Sequence, residues 1–329
     1  MEKYDFLAIG DITNDAFIKL DNQSARSFLN SGNTELCLNF GEKLPYEFVK
    51  EINAVGNASN ACVTAKKLGL KTAIVTDLGN DENGKKCLKK LKENSISIEF
   101  VKTHQNIKTN YNFVLWFDQD RTILVKHENY PFKLPEINPP RWIYLTSLAE
   151  NTEDYYKEIE NYLNKNPEIN LAFQPGTFQI KMNANKLSPF YKRANLFVVN
   201  KNEAKNILQT KDDNIKTLLS KIKDLGPKIV VITDGKNGAY MLDQDKIYFV
   251  PIFNNNKEKI DGTGSGDAFS ATMASFLALG KTPEEAFLLA PINSSFVLTE
   301  IGAQDGLLTR DEIENYYKNA PENYKIQEI

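Results

Sequence analysis

Apolar runs of strand length alternate with helical stretches along most of this 329-residue chain. The runs that we predict as strands are 6–9, 71–76, 142–145, 171–173, 196–199 and 229–233. The stretches that we predict as helices are 58–68, 84–94, 152–164, 203–208, 215–225 and 268–279. Such alternation favours an α/β fold with a mostly parallel sheet covered by helices, which binds ligands beyond the carboxyl ends of its strands. We therefore predict a single domain spanning 1–329.

Two stretches depart from this alternation. Residues 35–40 alternate apolar and polar side chains, and 111–117 place Tyr111, Phe113, Leu115 and Phe117 on one face. A further strand follows at 122–126. A period of two predicts antiparallel strands, here outside the main sheet. Their apolar face would pack either within the chain or on a second subunit.

The composition limits the classes of function. Forty basic and 43 acidic side chains give a net charge of −3 with no basic stripe, so we expect no nucleic-acid partner. No apolar stretch approaches the roughly 20 residues of a membrane span. The run at the start of the chain is too short and too acidic for a signal peptide.

Cysteine and histidine are both scarce. Three widely spaced cysteines without a C-x-x-C pair favour a reducing, cytoplasmic location over disulfides or a cysteine metal site. His104 and His127 are the only histidines, which disfavours a histidine triad or a multi-histidine zinc site.

A glycine-rich segment, 261–267, ends in Asp267 where a helix is predicted to begin. Glycines allow successive backbone N–H groups to converge on one anion, and the positive end of the helix dipole points at the same place. A carboxylate beside such an anion site can accept the proton of an attacking hydroxyl, as phosphoryl transfer requires. On spacing alone, an ordinary carboxylate at a helix start is an equally good interpretation.

Segment 261–267 closely resembles the D-T-x-G-A-G-D signature of the ribokinase-like (PfkB) carbohydrate kinases. Further segments resemble motifs of that family in its order, over nearly the whole chain. They are Asp11 and Asp15 after the first strand, 56–61 (G-N-A-S-N-A), 79–84 (G-N-D-E-N-G), 200–203 (N-K-N-E), 233–238 (T-D-G-K-N-G), and 291–295 with 302–304 (G-A-Q).

The resemblance implies an ATP-dependent kinase whose catalytic base is Asp267. The backbone amides of Gly264, Ser265 and Gly266 would hold the negative charge of the transition state. In a noncatalytic relative, Asp267 would be only a helix-start carboxylate.

The resemblance also implies where the substrate binds. Asp15 matches the family's substrate-binding Asp, and Asp11 lies on the same expected turn. Gly56, Asn57 and Asn60 would complete the hydroxyl contacts. The alternatives are a pair of turn-forming aspartates and, for Asn60, a helix N-cap.

For the nucleotide, the resemblance implies two further groups of residues. Glu203, with Asn200, would reach Mg²⁺ through water, although a Glu in an exposed first helical turn is the competing interpretation. The residues expected to line the nucleotide site are Thr233, Gly235, Gly238 and Asn293; for the loop at 233–238 the alternative is a plain strand-to-turn connection. In relatives a K⁺ ion can lie near the backbone of the positions matching Asp261 and Thr263.

Insertions near 12–52 and 100–130 would form a small antiparallel β-lid over the sugar, and lids of the family often pair into dimers. The chain departs from the family pattern at four positions. Val55 replaces the first of two glycines, Gly262 replaces the Thr of D-T-x-G, Gln174 replaces an Asn, and Asn57 stands where true ribokinases have Lys.

We therefore expect ATP-dependent phosphorylation of a primary hydroxyl of a sugar. One alternative is a nucleoside kinase of the same superfamily, with a base slot formed by aromatic side chains such as Phe17, Phe40, Trp116 or Phe117. Another is a noncatalytic module that senses sugar or nucleotide. The sequence does not name the substrate.

Overall fold

The computed structural model describes residues 3–30, 33–118, 120–182 and 184–329. The strands in these ranges are β1 (Phe6–Ile9), β2 (Thr13–Leu20), β3 (Ala25–Asn30), β4 (Asn33–Leu38), β5 (Tyr46–Val55), β6 (Thr72–Gly79), β7 (Val101–His104), β8 (Tyr111–Phe117), β9 (Asp120–Leu124), β10 (Trp142–Leu145), β11 (Asn170–Phe173), β12 (Leu196–Asn200), β13 (Ile229–Thr233), β14 (Ala239–Asp243), β15 (Lys246–Val250) and β16 (Gln327–Glu328). The helices are α1 (Asn57–Lys67), α2 (Glu82–Glu93), α3 (Glu153–Lys165), α4 (Thr177–Lys181), α5 (Ser188–Arg193), α6 (Lys201–Leu208), α7 (Ile215–Lys223), α8 (Ser265–Ala278), α9 (Pro283–Val297) and α10 (Arg310–Lys318).

The main sheet has ten strands in the order β16-β15-β14-β13-β12-β11-β10-β1-β6-β7. Neighbours from β13 through to β7 are parallel, and β14 to β16 continue the sheet antiparallel. This confirms the predicted α/β class with a mostly parallel sheet.

Helices cover both faces of this sheet. In β1, Phe6 and Ala8 pack with residues of α1, α8 and α9. Leu7 and Ile9 point the opposite way and pack with residues of α3, α6 and α7. Alternate side chains of a strand leave opposite faces, so a strand that is apolar throughout must be buried on both sides.

Helix α8 is apolar all around and buried along most of its length. Small side chains such as Ala271 and Ala274 are fully buried, which lets α8 lie close to α1 and α9. This packing places the first turn of α1 beside the first turn of α8, where the motif residues lie.

A second sheet, which we call the lid, has the order β5-β2-β8-β9. Its β2–β5 and β8–β9 pairs are antiparallel as predicted, but β2–β8 is parallel. Strands β3 and β4 form a separate hairpin. Strand β7 falls within the predicted lid range 100–130, yet it pairs with β6 at the edge of the main sheet.

Burial in β8 is the reverse of what its apolar pattern indicates. Asn112, Val114 and Trp116 are buried, whereas Phe113 is 46% exposed. The inward face of the lid is thus partly polar, and part of its apolar face is open. In the described ranges, no helix combines the length and apolarity that crossing a membrane requires.

Candidate active site

A cleft of about 880 Å³ lies between the lid and the carboxyl ends of the main-sheet strands. Asp11, Asn200 and Thr233 reach it from the ends of β1, β12 and β13, as the α/β rule predicts. Asp15 and Arg121 reach it from the lid. The cleft therefore combines residues from both sheets.

Asp267 lies in the first turn of α8 and lines this cleft. Its Oδ1 accepts hydrogen bonds from Asn57 Nδ2 at 3.0 Å and Gln174 Nε2 at 3.2 Å, and its Oδ2 accepts one from Asn60 Nδ2 at 2.8 Å. Primary amides are neutral donors, so they fix the carboxylate without neutralising it. Asp267 is held in one orientation while remaining able to accept a proton.

Burial raises the pKa of Asp267 above its ordinary value. The hydrogen bonds from Asn60 and Gln174 and the positive charge of Arg121 oppose this rise. A carboxylate with a raised pKa is a stronger proton acceptor once ionised, which suits a general base.

The amides that precede Asp267 open into the cleft. No side chain within the described ranges caps the N-terminus of α8, so the N–H groups of its first turn lack helical partners. Gly264 has a φ of +80°, and a Cβ there would lie 2.2 Å from the Cβ of Ala303. A Cβ on Gly266 would meet nothing within 4 Å. Free N–H groups at a helix start beside open space suit the binding of an anion.

Asp11 forms the far end of the cleft with His127. Its Oδ2 lies 3.0 Å from Nδ1 of His127, and within the described ranges its Oδ1 is buried without a hydrogen-bond partner. Burial raises the pKa of Asp11, which the bond to His127 opposes. A buried carboxylate oxygen without a donor is available to a ligand hydroxyl.

Asp15 lies in strand β2, not in the turn that the sequence suggested. The polar stretch 13–15 enters the strand because its backbone pairs with both β5 and β8. Asn112 Nδ2 donates to Asp15 Oδ1 at 3.1 Å, and burial raises the pKa of Asp15 to about 6. Asp15 thus presents a poorly solvated carboxylate to the cleft.

Gly56 joins β5 to α1 with a φ of +99°. A Cβ at this position would also lie 3.1 Å from the backbone oxygen of Asp11. Both observations require glycine. The turn lets Asn57 and Asn60 project from the first turn of α1 toward Asp267, so Asn60 does not serve as the helix N-cap, which is Gly56.

Asn200 and Glu203 form a capping box at the start of α6. Glu203 N donates to Asn200 Oδ1 at 2.9 Å, and Asn200 N donates to Glu203 Oε2 at 2.8 Å. Both residues line the cleft, as do Thr233 and Gly235. Burial raises the pKa of Glu203, and the charge of Asp267 contributes to the rise. Asn200 and Glu203 thus cap α6, and both residues also line the space expected for the nucleotide.

Two of the residues expected at the nucleotide lie away from the cleft lining. Asn293 is fully buried, donates to Thr272 Oγ1 at 2.7 Å and accepts from Leu308 N at 2.8 Å. Both ends of its amide are used to hold α9 to α8 and to the following loop. Gly238 has a φ of +89°, and a Cβ there would lie 2.4 Å from the backbone oxygen of Val250. Its glycine is required by packing against β15.

Asp261 pins two loops together. Its Oδ1 accepts from the N and Oγ1 of Thr263, at 3.0 and 2.8 Å, and its Oδ2 accepts from Gly302 N at 2.9 Å. Its side chain is buried, whereas Thr263 and Gly302 line the cleft. No group of three or more potential metal ligands of the His, Cys, Asp and Glu types occurs in the described part of the chain.

The cleft is also lined by residues that the sequence did not identify as site residues, among them Asn112, Arg121, His127 and Gln174. The first three are single polar residues on or after lid strands, outside any motif, so no local spacing marks them. Gln174 was visible only as a departure from the family pattern. Its hydrogen bond to Asp267 shows that it contributes to holding that carboxylate.

Residues 32–310 match the sequence profile of the pfkB family carbohydrate kinases. A ribokinase from Bacillus subtilis is 25% identical over 79% of this chain and 86% of its own length. A nucleoside kinase from Methanocaldococcus jannaschii is 24% identical over 78% of this chain and 83% of its own length.

The fold is also that of a solved ribokinase. The structure of Arabidopsis thaliana ribokinase complexed with ribose and ATP superposes with a TM-score of 0.78, covering 96% of this chain and 99% of that one at 18% identity. Motif order, fold and the arrangement around Asp267 agree with the profile match. The chain belongs to the PfkB family of carbohydrate kinases and is a phosphotransferase of the ribokinase type.

Proposed function

We propose that the protein transfers the γ-phosphate of ATP to a primary hydroxyl of a sugar, with Asp267 as the base. The observation that carries this proposal is the position of Asp267, whose carboxylate is held by three neutral amides beside the open amides of α8. A base and an anion cradle within one helical turn suit phosphoryl transfer.

In this reaction the acceptor oxygen forms a bond to the γ-phosphorus as the bond from that phosphorus to the β–γ bridging oxygen breaks. The hydroxyl proton passes to Asp267, and ADP leaves with the electron pair of the broken bond. The N–H groups of 264–266 and the dipole of α8 stabilise the charge that develops on the phosphoryl oxygens. Asp11, Asp15 and Asn112 would orient the acceptor through its other hydroxyls.

Mg²⁺ fits this site through water. Two oxygen ligands are too few to hold it alone, and Mg²⁺ usually keeps several waters and borrows phosphate oxygens. Glu203 would hold such waters, and the ion would offset phosphate charge when bound. We further propose that the loop at Asp261 and Thr263 holds K⁺ through backbone oxygens, since both oxygens of the Asp261 carboxylate already accept hydrogen bonds from the protein. Dependence of the rate on KCl against NaCl tests this.

The alternative acceptor is a nucleoside. Phe17 and Phe178 both line the cleft, but Phe17 is 1% exposed and presents no open face, so Phe178 would be the side chain that stacks on a base. Of the other aromatic residues suggested for this slot, Phe40 is fully exposed, and Trp116 packs edge-on against Phe48. Nucleoside binding would therefore use Phe178.

The test is ADP release from ATP and Mg²⁺ in the presence of pentoses, hexoses and nucleosides, supplied one at a time. Asp267→Asn should lower kcat by about 100-fold or more, because general-base catalysis contributes that much. Asp311→Asn, an exposed carboxylate on α10, is the matched control. Because burial raises the pKa of Asp267, kcat/KM should fall as the pH is lowered through that raised value.

Two results would oppose the proposal. ATP binding without turnover for every compound would favour a noncatalytic sensing module, and undiminished activity of Asp267→Asn would reject the mechanism. Among the compounds, a nucleoside that alone supports turnover would replace sugar as the acceptor.

We also propose that the protein works in the cytoplasm, and that two copies pair through the lid and the β3–β4 hairpin. Large apolar side chains are exposed there, including Leu29 at 74% and Phe40 at 104%. An exposed apolar patch of this kind suits an interface with a second copy. Light scattering of the wild type and Phe40→Ser tests this, since loss of a dimer in the variant alone would place the interface here, and a monomeric wild type would reject it.

A further inference from the structure

Arg121 extends from lid strand β9 into the cleft. Its Nη1 lies 3.7 Å from Oδ1 of Asp120, a side chain that is 92% exposed. An ion pair of that length with a solvated partner holds a guanidinium weakly. The Nε of Arg121 is buried and has no hydrogen-bond partner among the residues that the structure describes. A buried donor of this kind indicates that Arg121 binds an oxygen-bearing ligand.

The guanidinium occupies space that Gly262 leaves open. A Cβ on Gly262 would lie 2.9 Å from Arg121 Nη1 and 3.6 Å from Lys259 Nζ. The family signature has threonine at this position, so its side chain and the guanidinium would compete for one volume. Gly262 does not have a positive φ, so its backbone conformation does not require glycine. The space for Arg121 is what glycine provides here.

Arg121 is not simply the counter-ion of Asp267. The side-chain hydrogen bonds that Asp267 accepts in the described structure come from Asn57, Asn60 and Gln174. The charge of Arg121 acts on Asp267 only through space, where it lowers the pKa of that carboxyl against the effect of burial. The donors of the guanidinium thus remain available to a phosphate.

We propose that Arg121 is a catalytic residue that the lid inserts beside the glycine loop to bind the transferring phosphoryl group, in the space that Gly262 leaves. This inference rests on the proposed kinase function. A planar guanidinium donates two parallel hydrogen bonds to phosphate oxygens and carries a permanent charge. An arginine that stabilises charge at a phosphoryl group can contribute a factor of about 10³ or more to kcat.

The position of Arg121 on the lid links acceptor binding to catalysis. Strand β9 pairs with β8, which pairs with β2, the strand that carries Asp15. An acceptor held by Asp15 and Asn112 therefore contacts the same small sheet that carries the guanidinium. Arg121 would contact the terminal phosphate of bound ATP, and binding of the correct acceptor would hold it there more firmly.

The test compares Arg121→Ala, Arg121→Lys, Gly262→Thr and the double variant Arg121→Ala/Gly262→Thr with the wild type. Lys126→Ala is the matched control, because it removes a lid cation whose side chain is 67% exposed and pairs with Glu128 outside the cleft. Thermal unfolding confirms that each variant is folded. Calorimetry with Mg²⁺ measures the Kd of ADP and of the non-hydrolysable ATP analogue AMP-PNP, and steady-state assays give kcat and KM.

Arg121→Ala should bind AMP-PNP at least about tenfold more weakly while its Kd for ADP changes little, since a charged hydrogen bond to the terminal phosphate is lost. Its kcat should fall at least about 100-fold with a small change in the acceptor KM. Arg121→Lys should recover part of both losses. Gly262→Thr should displace the flexible guanidinium and lose a similar factor, and adding it to Arg121→Ala should cost little more.

The inference would be overturned if the kcat losses of the two single variants multiply in the double variant. It would also be overturned if Arg121→Ala leaves the ratio of the Kd values for AMP-PNP and ADP unchanged. Either result would leave the kinase proposal intact. A wild type that binds neither nucleotide would overturn the kinase proposal and this inference together. Binding of both nucleotides is decisive for Arg121 even before an acceptor is known, because the AMP-PNP arm needs no turnover.

Discussion

Asp15→Asn is expected to stabilise the ligand-free protein while weakening acceptor binding. Asp15 is 8% exposed, and burial raises its pKa from 3.8 to about 6. At 1.36 kcal/mol for each pH unit, this rise corresponds to about 3 kcal/mol by which the folded protein disfavours the charged carboxylate. Asparagine has the same shape, carries no charge and still accepts the hydrogen bond from Asn112. At pH 8 the variant should therefore be more stable by up to about 3 kcal/mol.

The pH dependence has a definite sign. Because the folded-state pKa of Asp15 is above the unfolded value, the folded protein binds this proton first as the pH falls, and the contribution of Asp15 to stability increases from pH 8 toward pH 4. Between pH 8 and pH 5 this group contributes an increase of about 1.4 kcal/mol. Asp11, Asp77 and Asp267 change in the same direction, so only the difference between wild type and variant isolates Asp15.

The assay is urea unfolding of both proteins at pH 8 and pH 5, with thermal unfolding as a second measure. The stability advantage of Asp15→Asn should shrink by about 1.4 kcal/mol at the lower pH. Glu47→Gln, an exposed lid carboxylate on β5, should change stability little at either pH. A variant less stable than the wild type at pH 8, or an advantage independent of pH, would refute the reasoning.

Two further predictions concern packing and burial. Gly264→Ala should lower Tm and abolish turnover, because its Cβ would lie 2.2 Å from the methyl group of Ala303. Gly280→Ala has a similar φ of +87° but open space around it, so its Tm should fall only by the cost of placing alanine at a positive φ. Equal effects of the two substitutions would show that the collision at Gly264 is relieved. Of the three cysteines, only the partly exposed Cys37 should react rapidly with a thiol reagent, because burial raises the pKa of Cys62 and Cys87 to about 12; rapid labelling of more than one thiol per chain in the native protein would contradict this.

The sequence predicts six of the ten strands of the main sheet, those whose apolar runs form a local pattern, and it does not predict β7, β14, β15 and β16. Helix α1 begins and ends within one residue of its prediction, and β8 carries the predicted bounds. The order of the strands and the pairing of β2 with β8 depend on contacts between distant segments, which no local period encodes. The same limit explains why the face of β8 that carries Phe113 is more exposed than the one that carries Asn112.

The residues of the candidate site likewise divide into those that lie in local sequence motifs and those that only tertiary contacts bring to the cleft. The structure brings Asp267, Asn57 and Asn60 together, and all three lie in motifs that a sequence displays. Arg121 and His127 lie in no such motif, because their place in the cleft depends on how the lid lies over the main sheet. Asn293 shows the opposite error, since a motif match assigned a nucleotide contact to a side chain that joins two helices.

The division of the cleft between two sheets has a consequence for how such an enzyme changes its specificity. The proposed base, Asp267, and the amides that hold it lie at the carboxyl edge of the main sheet, while Asp15, Asn112 and Arg121 belong to the lid. If Asp267 and Arg121 act as proposed, substitutions at the acceptor-facing lid positions Asp15 and Asn112 would alter which acceptor is recognised without disturbing the groups that activate it. For protein engineering, β2 and β8 are accordingly the strands to randomise, with Arg121, α1 and α8 held constant.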